Sequence, residues 1–157
     1  NTVLSTPFMG IDWLPTFSKV INSPLSENKI DGKNIWENLT SETKKDPHEA
    51  LFFYYHKNSL HGVRHGDYKM YFPHRYRTLN GKIGRDDGKP IKYEYVDLLE
   101  NELYNLKTDP SETKNIINEF PGIAKKIIAL ADNKRKEIGD DLTNVIGLEN
   151  REIGMID

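Results

Sequence analysis

Three neighbouring runs of residues constrain the fold of this chain more than any other feature. Residues 50–55 and 60–64 have the composition of strands, and residues 68–72 alternate apolar and polar side chains as a half-buried strand does. Between the second and third runs, Gly66-Asp67 is a signal for a two-residue hairpin turn. Because hairpins join neighbouring antiparallel strands, these runs predict an antiparallel sheet.

A long amphipathic helix is predicted over residues 121–138. Pro121 suits its first turn and Gly139 is a natural stop. Its apolar residues recur on one side at helical spacing: Ile123, Ile127, Leu130, Ala131 and Ile138. One such helix can cover one face of a small sheet.

Residues 6–23 also place apolar side chains at helical spacing. Pro15 would kink a continuous helix here, so we expect the helix to begin near Asp12, with Asp12 as its cap and Pro15 in its first turn. Further along, Trp36 and Leu39 indicate a short helix or turn within a polar connecting segment.

Residues 74–100 predict a long irregular loop, because turn signals recur at Asn80-Gly81, Gly84 and Gly88. A fourth strand is predicted over residues 102–107. Together the elements predict an α+β fold, in which a small four-stranded antiparallel sheet packs against a long C-terminal helix and follows an N-terminal helical segment.

The fourth strand is predicted to stop at a turn that begins at Asp109. Pro110 suits the second position of a type I turn, and the Asp109 carboxylate can accept backbone N–H bonds there.

Composition excludes several classes of function. The chain has 157 residues, a net charge of −2 and no cysteine, so disulfides, thiolate metal sites and a cysteine nucleophile are excluded. No apolar run reaches the length of about 18–20 residues that a membrane span needs. The sequence contains no Gly-x-Ser-x-Gly elbow, no phosphate-binding glycine loop and no His-Glu-x-x-His motif.

Positive charge is concentrated between Lys57 and Lys92. This basic stretch holds nine Lys or Arg residues and three acidic residues, which is a local net charge of +6. Four of the five histidines lie in or beside it: His56, His61, His65 and His74. An anionic partner and an ordinary solvated face account equally well for such a stretch.

His61 and His65 are the residues that most resemble a pair of metal ligands. They are four positions apart, but Gly62 and Gly66 favour a strand and a turn over a helix. Apart from Asp67, no nearby carboxylate completes a metal site. We therefore interpret these histidines as cross-strand polar residues and predict no metal ligand.

His74, Arg75 and Arg77 are the predicted binding residues. They come where the third strand ends and the long loop begins, which is a usual position for binding residues. The two guanidinium groups present planar forks for sulfate, phosphate or carboxylate, and His74 can donate to an anion or a sugar hydroxyl. The alternative is a solvated basic loop.

Five blocks of sequence, in order over about residues 6–115, resemble the C-terminal third of sulfatases of the arylsulfatase A / N-acetylgalactosamine-6-sulfatase type. The last of these blocks, residues 103–112, resembles the family's "LYDLxxDPxExxN" signature. The blocks are Thr6-Pro7 with residues 11–17, Ile30-Asp31-Gly32, residues 50–54, residues 63–70 and residues 103–112. In that family the C-terminal subdomain is a four-stranded antiparallel sheet on a long helix, which agrees with the fold predicted above.

The resemblance implies that the chemistry lies outside this chain. In that family the nucleophile is a formylglycine from a C/S-x-P-x-R motif, and a calcium ion activates the sulfate; both belong to the larger α/β domain. Residues 5–9 match the serine form only superficially, because Met9 stands where arginine is required. We therefore predict no catalytic residue and no cofactor here, and expect calcium and formylglycine in a missing N-terminal domain.

The resemblance also implies an organisation for the chain. Residues 1–48 are predicted as the end of the larger α/β domain and a connecting segment, residues 49–139 as the C-terminal subdomain, and residues 140–157 as a tail on the surface. Asn1 is expected to be a cut within a longer protein, because no signal peptide precedes it.

The implied partners are the N-terminal catalytic domain and a sulfated carbohydrate, contacted through His74, Arg75 and Arg77. We expect the chain alone to be inactive, to expose an apolar surface, and to self-associate through it. No nucleic acid or membrane partner is expected, and the implied location is periplasmic or secreted. Two alternatives remain: a polyanion-binding module that uses residues 57–92, and a structural lid whose loop contacts nothing.

Overall fold

The computed structural model describes residues 3–25, 27, 29–40 and 45–150. It divides into two compact units, Asn1–Leu51 and Phe52–Asp157. Asn1 and the last part of the predicted tail, residues 151–157, lie outside the described residues. None of the described helices is long and apolar enough to cross a membrane.

In the first unit a short 3-10 turn, Gly10–Asp12, leads into helix α1, Trp13–Val20. The predicted start near Asp12 is confirmed, and Pro15 lies in the first turn. Helix α2, Trp36–Leu39, is the short helix expected there.

Asp12 stands at the N-cap position of α1, as predicted, but its carboxylate serves other partners. Its side chain makes no capping hydrogen bond to α1. The carboxylate is fully buried and accepts hydrogen bonds from the backbone N–H groups of Met9 and Lys33, each at 2.8 Å. His48 Nε2 lies 2.8 Å from the same carboxylate. Asp12 therefore joins distant segments of the first unit.

The apolar stripe of α1 is largely exposed. Only Pro15 and Thr16 of this helix are buried, and the exposed residues are Trp13, Leu14, Phe17 and Val20, with Ile11 and Ile21 flanking the helix. Helical spacing located the helix correctly, and the predicted exposed apolar surface is present on it.

Six strands and one long helix lie within residues 51–150, the part of the chain described for the second unit and the residue before it. The strands are β1, Leu51–Tyr55; β2, Ser59–His65; β3, Tyr68–Tyr71; β4, His74–Thr78; β5, Glu94–Leu98; and β6, Glu102–Asn105. Four of them form an antiparallel sheet in the order β1-β2-β3-β6, which confirms the predicted α+β fold. The helix, α3, spans Pro121–Ile138, as predicted.

The core of the second unit lies between α3 and the sheet. Val63, Met70 and Leu103 are aligned across β2, β3 and β6, and all three are fully buried. Ile127 and Ala131 are fully buried on α3, which packs on β2 and β3. The alternation of β3 therefore leaves Lys69 and Tyr71 on the other face of the sheet.

A buried ion pair ties the end of α3 to the sheet. Arg135 Nε donates to Asp140 Oδ2 at 2.9 Å. The other oxygen of Asp140, which is fully buried, accepts the backbone N–H groups of Leu60 at 3.1 Å and Leu142 at 3.0 Å. Asp140, the first residue of the predicted tail, is thus anchored in the core, whereas residues 141–150 are mostly exposed, as predicted.

The predicted loop over residues 74–100 is wrong at both of its ends. β4 and β5 pair antiparallel as a separate two-stranded sheet, with His74 opposite Leu98 and Thr78 opposite Glu94. The turn signals belong to the connection between the strands, where Asn80 and Gly81 both have positive φ. Because turn signals dominate this part of the sequence, the two five-residue strands that flank them were not predicted.

Candidate functional site

The three predicted binding residues lie on strand β4 rather than in a loop, and the strand separates them. Successive side chains of a strand point to opposite faces. His74 therefore shares one face of the hairpin with Tyr76, whereas Arg75 and Arg77 lie on the other. The structure brings the two arginines together and holds His74 apart from them.

His74 is held in one orientation by its own strand. Its Nδ1 lies 2.6 Å from the backbone carbonyl of Phe72, and because a carbonyl only accepts, Nδ1 carries the proton. In the neutral ring Nε2 is then an acceptor. The imidazole stacks on His61 of strand β2, with centroids 3.9 Å apart and planes 28° apart.

Burial, more than the stack with His74, lowers the pKa of His61. Burial, followed by the neighbouring His74 and His56, lowers the pKa of His61 to about 4. His61 is therefore neutral at ordinary pH. A neutral His61 ring packs against His74 without charge repulsion.

The two arginines form a ladder with two tyrosines, Tyr95 of the adjacent strand β5 and Tyr93 just before that strand. The Arg75 guanidinium lies 5.1 Å from the centroid of Tyr95, and that of Arg77 lies 4.8 Å from Tyr93. Asp97 is 3.9 Å from Arg75, but both side chains are mostly exposed. Stacking on a ring orients a guanidinium fork while leaving its N–H donors available.

This ladder borders a cavity of about 310 Å³. Its remaining walls come from β1, β2 and the turn between them. The lining residues are Tyr55, His56, His61, Arg75, Tyr76, Arg77 and Tyr95. The cavity can accept an anion, because two guanidinium groups line it and no carboxylate does.

A second cleft, of about 320 Å³, opens on the other side of β4. We call it the tyrosine cleft. It lies on the sheet face opposite α3, since Lys69 and Tyr71 point that way. The lining residues are Tyr71, His74, Tyr76, Leu98, Glu102, Tyr104 and Glu112. Sequence reasoning missed this cleft because its walls come from four strands and the turn that carries Glu112.

Glu112 organises the floor of the tyrosine cleft. Its carboxylate accepts from Lys69 Nζ at 2.7 Å and from the Tyr71 hydroxyl at 2.8 Å. Burial alone would lower the pKa of Lys69, but the hydrogen bonds to Glu112 and Tyr71 outweigh it and raise that pKa. Burial raises the pKa of Tyr71, so its hydroxyl keeps its proton.

Glu102 holds a second carboxylate in the tyrosine cleft. The Tyr104 hydroxyl donates to Glu102 at 2.7 Å. Burial, and then this hydrogen bond, raises the pKa of Tyr104. Within residues 45–150 no Lys or Arg side chain forms an ion pair with Glu102.

No group of three or more His, Asp or Glu side chains among the described residues is arranged to hold a metal ion. His61 stacks with His74 rather than meeting His65. The pattern of two histidines four apart therefore does not assemble a site among the residues that the structure describes.

The basic stretch between Lys57 and Lys92 is extensively neutralised. Five of its nine cationic side chains lie within 4 Å of a carboxylate: Lys69, Arg75, Lys82, Arg85 and Lys89. A local charge of +6 in the sequence is therefore not a continuous positive surface in the fold.

The turn at Asp109 forms as predicted. Glu112 N–H donates to the Asp109 carbonyl at 3.1 Å, and the Asp109 carboxylate accepts the backbone N–H groups of Thr113 and Lys114 at 2.8 and 2.9 Å. The first of the causes that lower the pKa of Asp109 is its bond from Lys114. This turn delivers Glu112 to Lys69.

Comparison with known proteins places this architecture in a family. The model of the C-terminal region of aryl-sulfatase matches residues 46–151. Human arylsulfatase A is 28% identical over 126 residues, which is 76% of this chain and 24% of the relative.

Solved structures share the fold over 80% of this chain. One, from a study of glycosaminoglycan metabolism by Bacteroides thetaiotaomicron, has a TM-score of 0.57 at 20% identity and is covered over 24% of its length. A protein described as a 2-O GAG sulfatase has a TM-score of 0.52 at 22% identity, with 24% covered. A third, solved with its substrate D-glucosamine-2-N,6-O-disulfate, has a TM-score of 0.50 at 24% identity, with 23% covered.

The chain thus spans about a quarter of the length of the relatives it matches. The family model covers more than half of the chain, including the whole sheet, the β4–β5 hairpin and α3. This protein therefore belongs to the family defined by the C-terminal region of aryl-sulfatase.

Proposed function

We propose that this chain is the C-terminal portion of a sulfuric ester hydrolase that acts on sulfated sugars, and that the ladder of Arg75 and Arg77 contacts the substrate. The observation that carries the proposal is the family match over residues 46–151. One structural relative was solved with a disulfated glucosamine and another is described as a 2-O GAG sulfatase. Both descriptions are consistent with a sulfated carbohydrate here.

The chemistry of the ladder supports this substrate class. A sulfate group carries negative charge on several oxygens, and a guanidinium fork can donate two parallel N–H bonds to them. The guanidinium groups of Arg75 and Arg77 lie over the rings of Tyr95 and Tyr93, which orient them. His74 contributes through His61, whose stacked ring lines the same cavity.

In this proposal the reaction itself takes place on an N-terminal catalytic domain. That domain would supply the formylglycine nucleophile and the calcium ion, and would cover the exposed apolar face of α1. Without it, the chain should be inactive and should self-associate through α1. We also propose a periplasmic or secreted location for the whole enzyme, on the family resemblance alone.

The polyanion-binding alternative is less well supported. Binding to a polyanion chain needs an extended row of unneutralised cations. Here the pairing of Lys69, Lys82, Arg85 and Lys89 with carboxylates interrupts that row. Among the described residues, the cations of the stretch with no carboxylate within 4 Å are Lys57, Arg64, Arg77 and Lys92.

The test is sulfate release by the full-length enzyme that contains this chain, on a panel of sulfated sugars. Arg75→Ala and Arg77→Ala should each raise KM by about tenfold, the scale expected for loss of a charged hydrogen bond, and should change kcat less. Arg75→Lys keeps the charge but loses the fork, and should recover only part of the affinity.

Lys126→Ala is the matched control, because it removes one positive charge from the exposed side of α3. It should leave KM unchanged. Equal KM values in all the arginine variants and the wild type would reject the substrate contact. Absence of turnover on every sulfated sugar would reject the proposed hydrolase activity. The alternative to test would then be salt-dependent binding of a polyanion.

A further inference from the structure

The tyrosine cleft differs in chemistry from the arginine ladder, although only one strand separates them. Two carboxylates, Glu102 and Glu112, line it, and no Lys or Arg does. Lys69, which lies beside the cleft, is bonded to Glu112 and lies 4.6 Å from the centroid of the Tyr71 ring. A sulfate placed in this cleft would face negative charge.

The walls of the cleft are aromatic on three sides. Tyr71 and Tyr104 meet edge to face, with centroids 6.2 Å apart and planes at 75°. Tyr76 approaches from β4, with its ring 5.7 Å from that of His74. A volume of about 320 Å³ is at the lower end of the range of about 300–1,000 Å³ for small-molecule sites, so it suits a single small ring.

The polar groups of the cleft are mainly acceptors. The Glu102 carboxylate has about four acceptor positions, and the Tyr104 hydroxyl uses one of them. Glu112 already accepts from Lys69 and Tyr71. A ligand that fits must therefore donate hydrogen bonds to Glu102 and present an apolar face to the tyrosines.

We propose that the tyrosine cleft binds an unsulfated pyranose ring. The C–H face of the sugar packs against Tyr76, whose side chain is exposed, and sugar hydroxyls donate to the free acceptor positions of Glu102. The cleft thereby selects against the sulfate that the ladder would bind. The two faces of one strand then recognise differently charged parts of a glycan.

The test is direct binding of methyl β-glucopyranoside and its 6-sulfated counterpart to the full-length enzyme, by calorimetry or saturation-transfer NMR. Tyr76→Ala should raise the Kd for the neutral sugar about fivefold to tenfold, because it removes one aromatic wall. Glu102→Gln should raise that Kd about tenfold while the Tyr104 hydroxyl keeps an amide oxygen as its acceptor.

Tyr95→Ala is the matched control, since it removes a tyrosine from the opposite face of the same hairpin. It should leave neutral-sugar binding unchanged. If Tyr76→Ala loses stability, Glu102→Gln still tests the proposal, because it preserves the shape of the side chain.

Three results would overturn the proposal: no detectable binding of the neutral sugar, equal weakening by Tyr95→Ala and Tyr76→Ala, or tighter binding of the neutral sugar by Glu102→Gln than by wild type. A free amino sugar that binds far better than the neutral sugar would identify a cation site instead, and would also overturn it. The measurement is of binding, so it is independent of whether the enzyme releases sulfate.

Discussion

The imidazole rings of His61 and His74 stack with their centroids 3.9 Å apart, and this contact joins the four-stranded sheet to the β4–β5 hairpin. The hairpin carries the arginine ladder on one face and part of the tyrosine cleft on the other. The histidine stack therefore supports both binding surfaces at once.

The first prediction concerns pH. The unfolded-state pKa of a histidine is near 6.5, and that of His61 is lowered to about 4 in the fold, first by burial. Between these values the unfolded chain binds more protons, so stability rises with pH. The contribution of neutral His61 is complete above about pH 6.5 and is lost as the pH falls toward 4.

Thermal unfolding followed between about pH 7 and pH 4 measures this effect. His61→Gln should flatten the fall in melting temperature, because the variant has no group at this position to protonate. His65→Gln, on the same strand, is the control and should retain the wild-type slope. Superimposable profiles for wild type and His61→Gln would contradict the assignment.

The second prediction concerns the buried carboxylate Asp140. Asp140→Ala leaves Arg135 buried without its 2.9 Å partner and orphans the backbone N–H groups of Leu60 and Leu142. Breaking a buried pair in this way should lower the free energy of unfolding by about 3–5 kcal/mol. Denaturant unfolding at neutral pH gives the value.

Asp132→Ala provides a matched comparison, because Asp132 also pairs with Arg135 but is half-exposed. Its loss should cost no more than about 1 kcal/mol. If the two variants lose equal stability, the burial of Asp140 does not determine the strength of the contact.

The third prediction concerns Gly139, at the end of α3. Its φ of +87° is strained for other residues, and an added Cβ would come within 2.8 Å of Asn58 Nδ2 and 2.9 Å of Val145 O. Gly139→Ala should therefore destabilise the chain by about 1–3 kcal/mol. Gly122→Ala, where a Cβ meets nothing within 4 Å, should be neutral or slightly stabilising.

The two alanine variants are compared by chemical denaturation under identical conditions. The Tyr54 hydroxyl donates to the Gly139 carbonyl at 2.9 Å, so displacement of this segment also breaks that hydrogen bond. Wild-type stability of Gly139→Ala would mean that the end of the helix rearranges without cost.

The fourth prediction concerns the pair formed by Lys69 and Glu112. Both side chains are mostly buried, and Tyr71 shares the carboxylate. A double-mutant cycle of Lys69→Ala and Glu112→Ala should give a coupling energy of about 0.5–3 kcal/mol. The exposed pair of Lys107 and Asp67, at 4.0 Å, should couple by less than about 0.5 kcal/mol. Equal coupling in the two cycles would show that burial adds nothing.

Patterns that depend on near neighbours were predictable. The helix over Pro121–Ile138 and the strands β1 to β3 follow from periodicity. The bonds of Asp109 to Thr113 and Lys114 span only four and five residues. Such features need no knowledge of the rest of the fold.

Strands β4 and β5 show where local signals mislead. Both flank a connection rich in glycine and aspartate, and turn residues dominate any reading of such a segment. The alternation of His74, Arg75, Tyr76 and Arg77 was present in the sequence. Only the pairing with β5 makes that alternation a separation of two faces.

The sequence by itself determined the β2–β3 hairpin, the long helix and the family resemblance, because each depends on the order and spacing of neighbouring residues. The tertiary structure decided which carboxylate meets Lys69, 43 residues away, and which meets the N–H of Leu60, 80 residues away. The chain holds 24 acidic residues that could serve. Sheet register and helix packing alone select Glu112 and Asp140 from among them. The tertiary structure also gives strand β4 its two different faces.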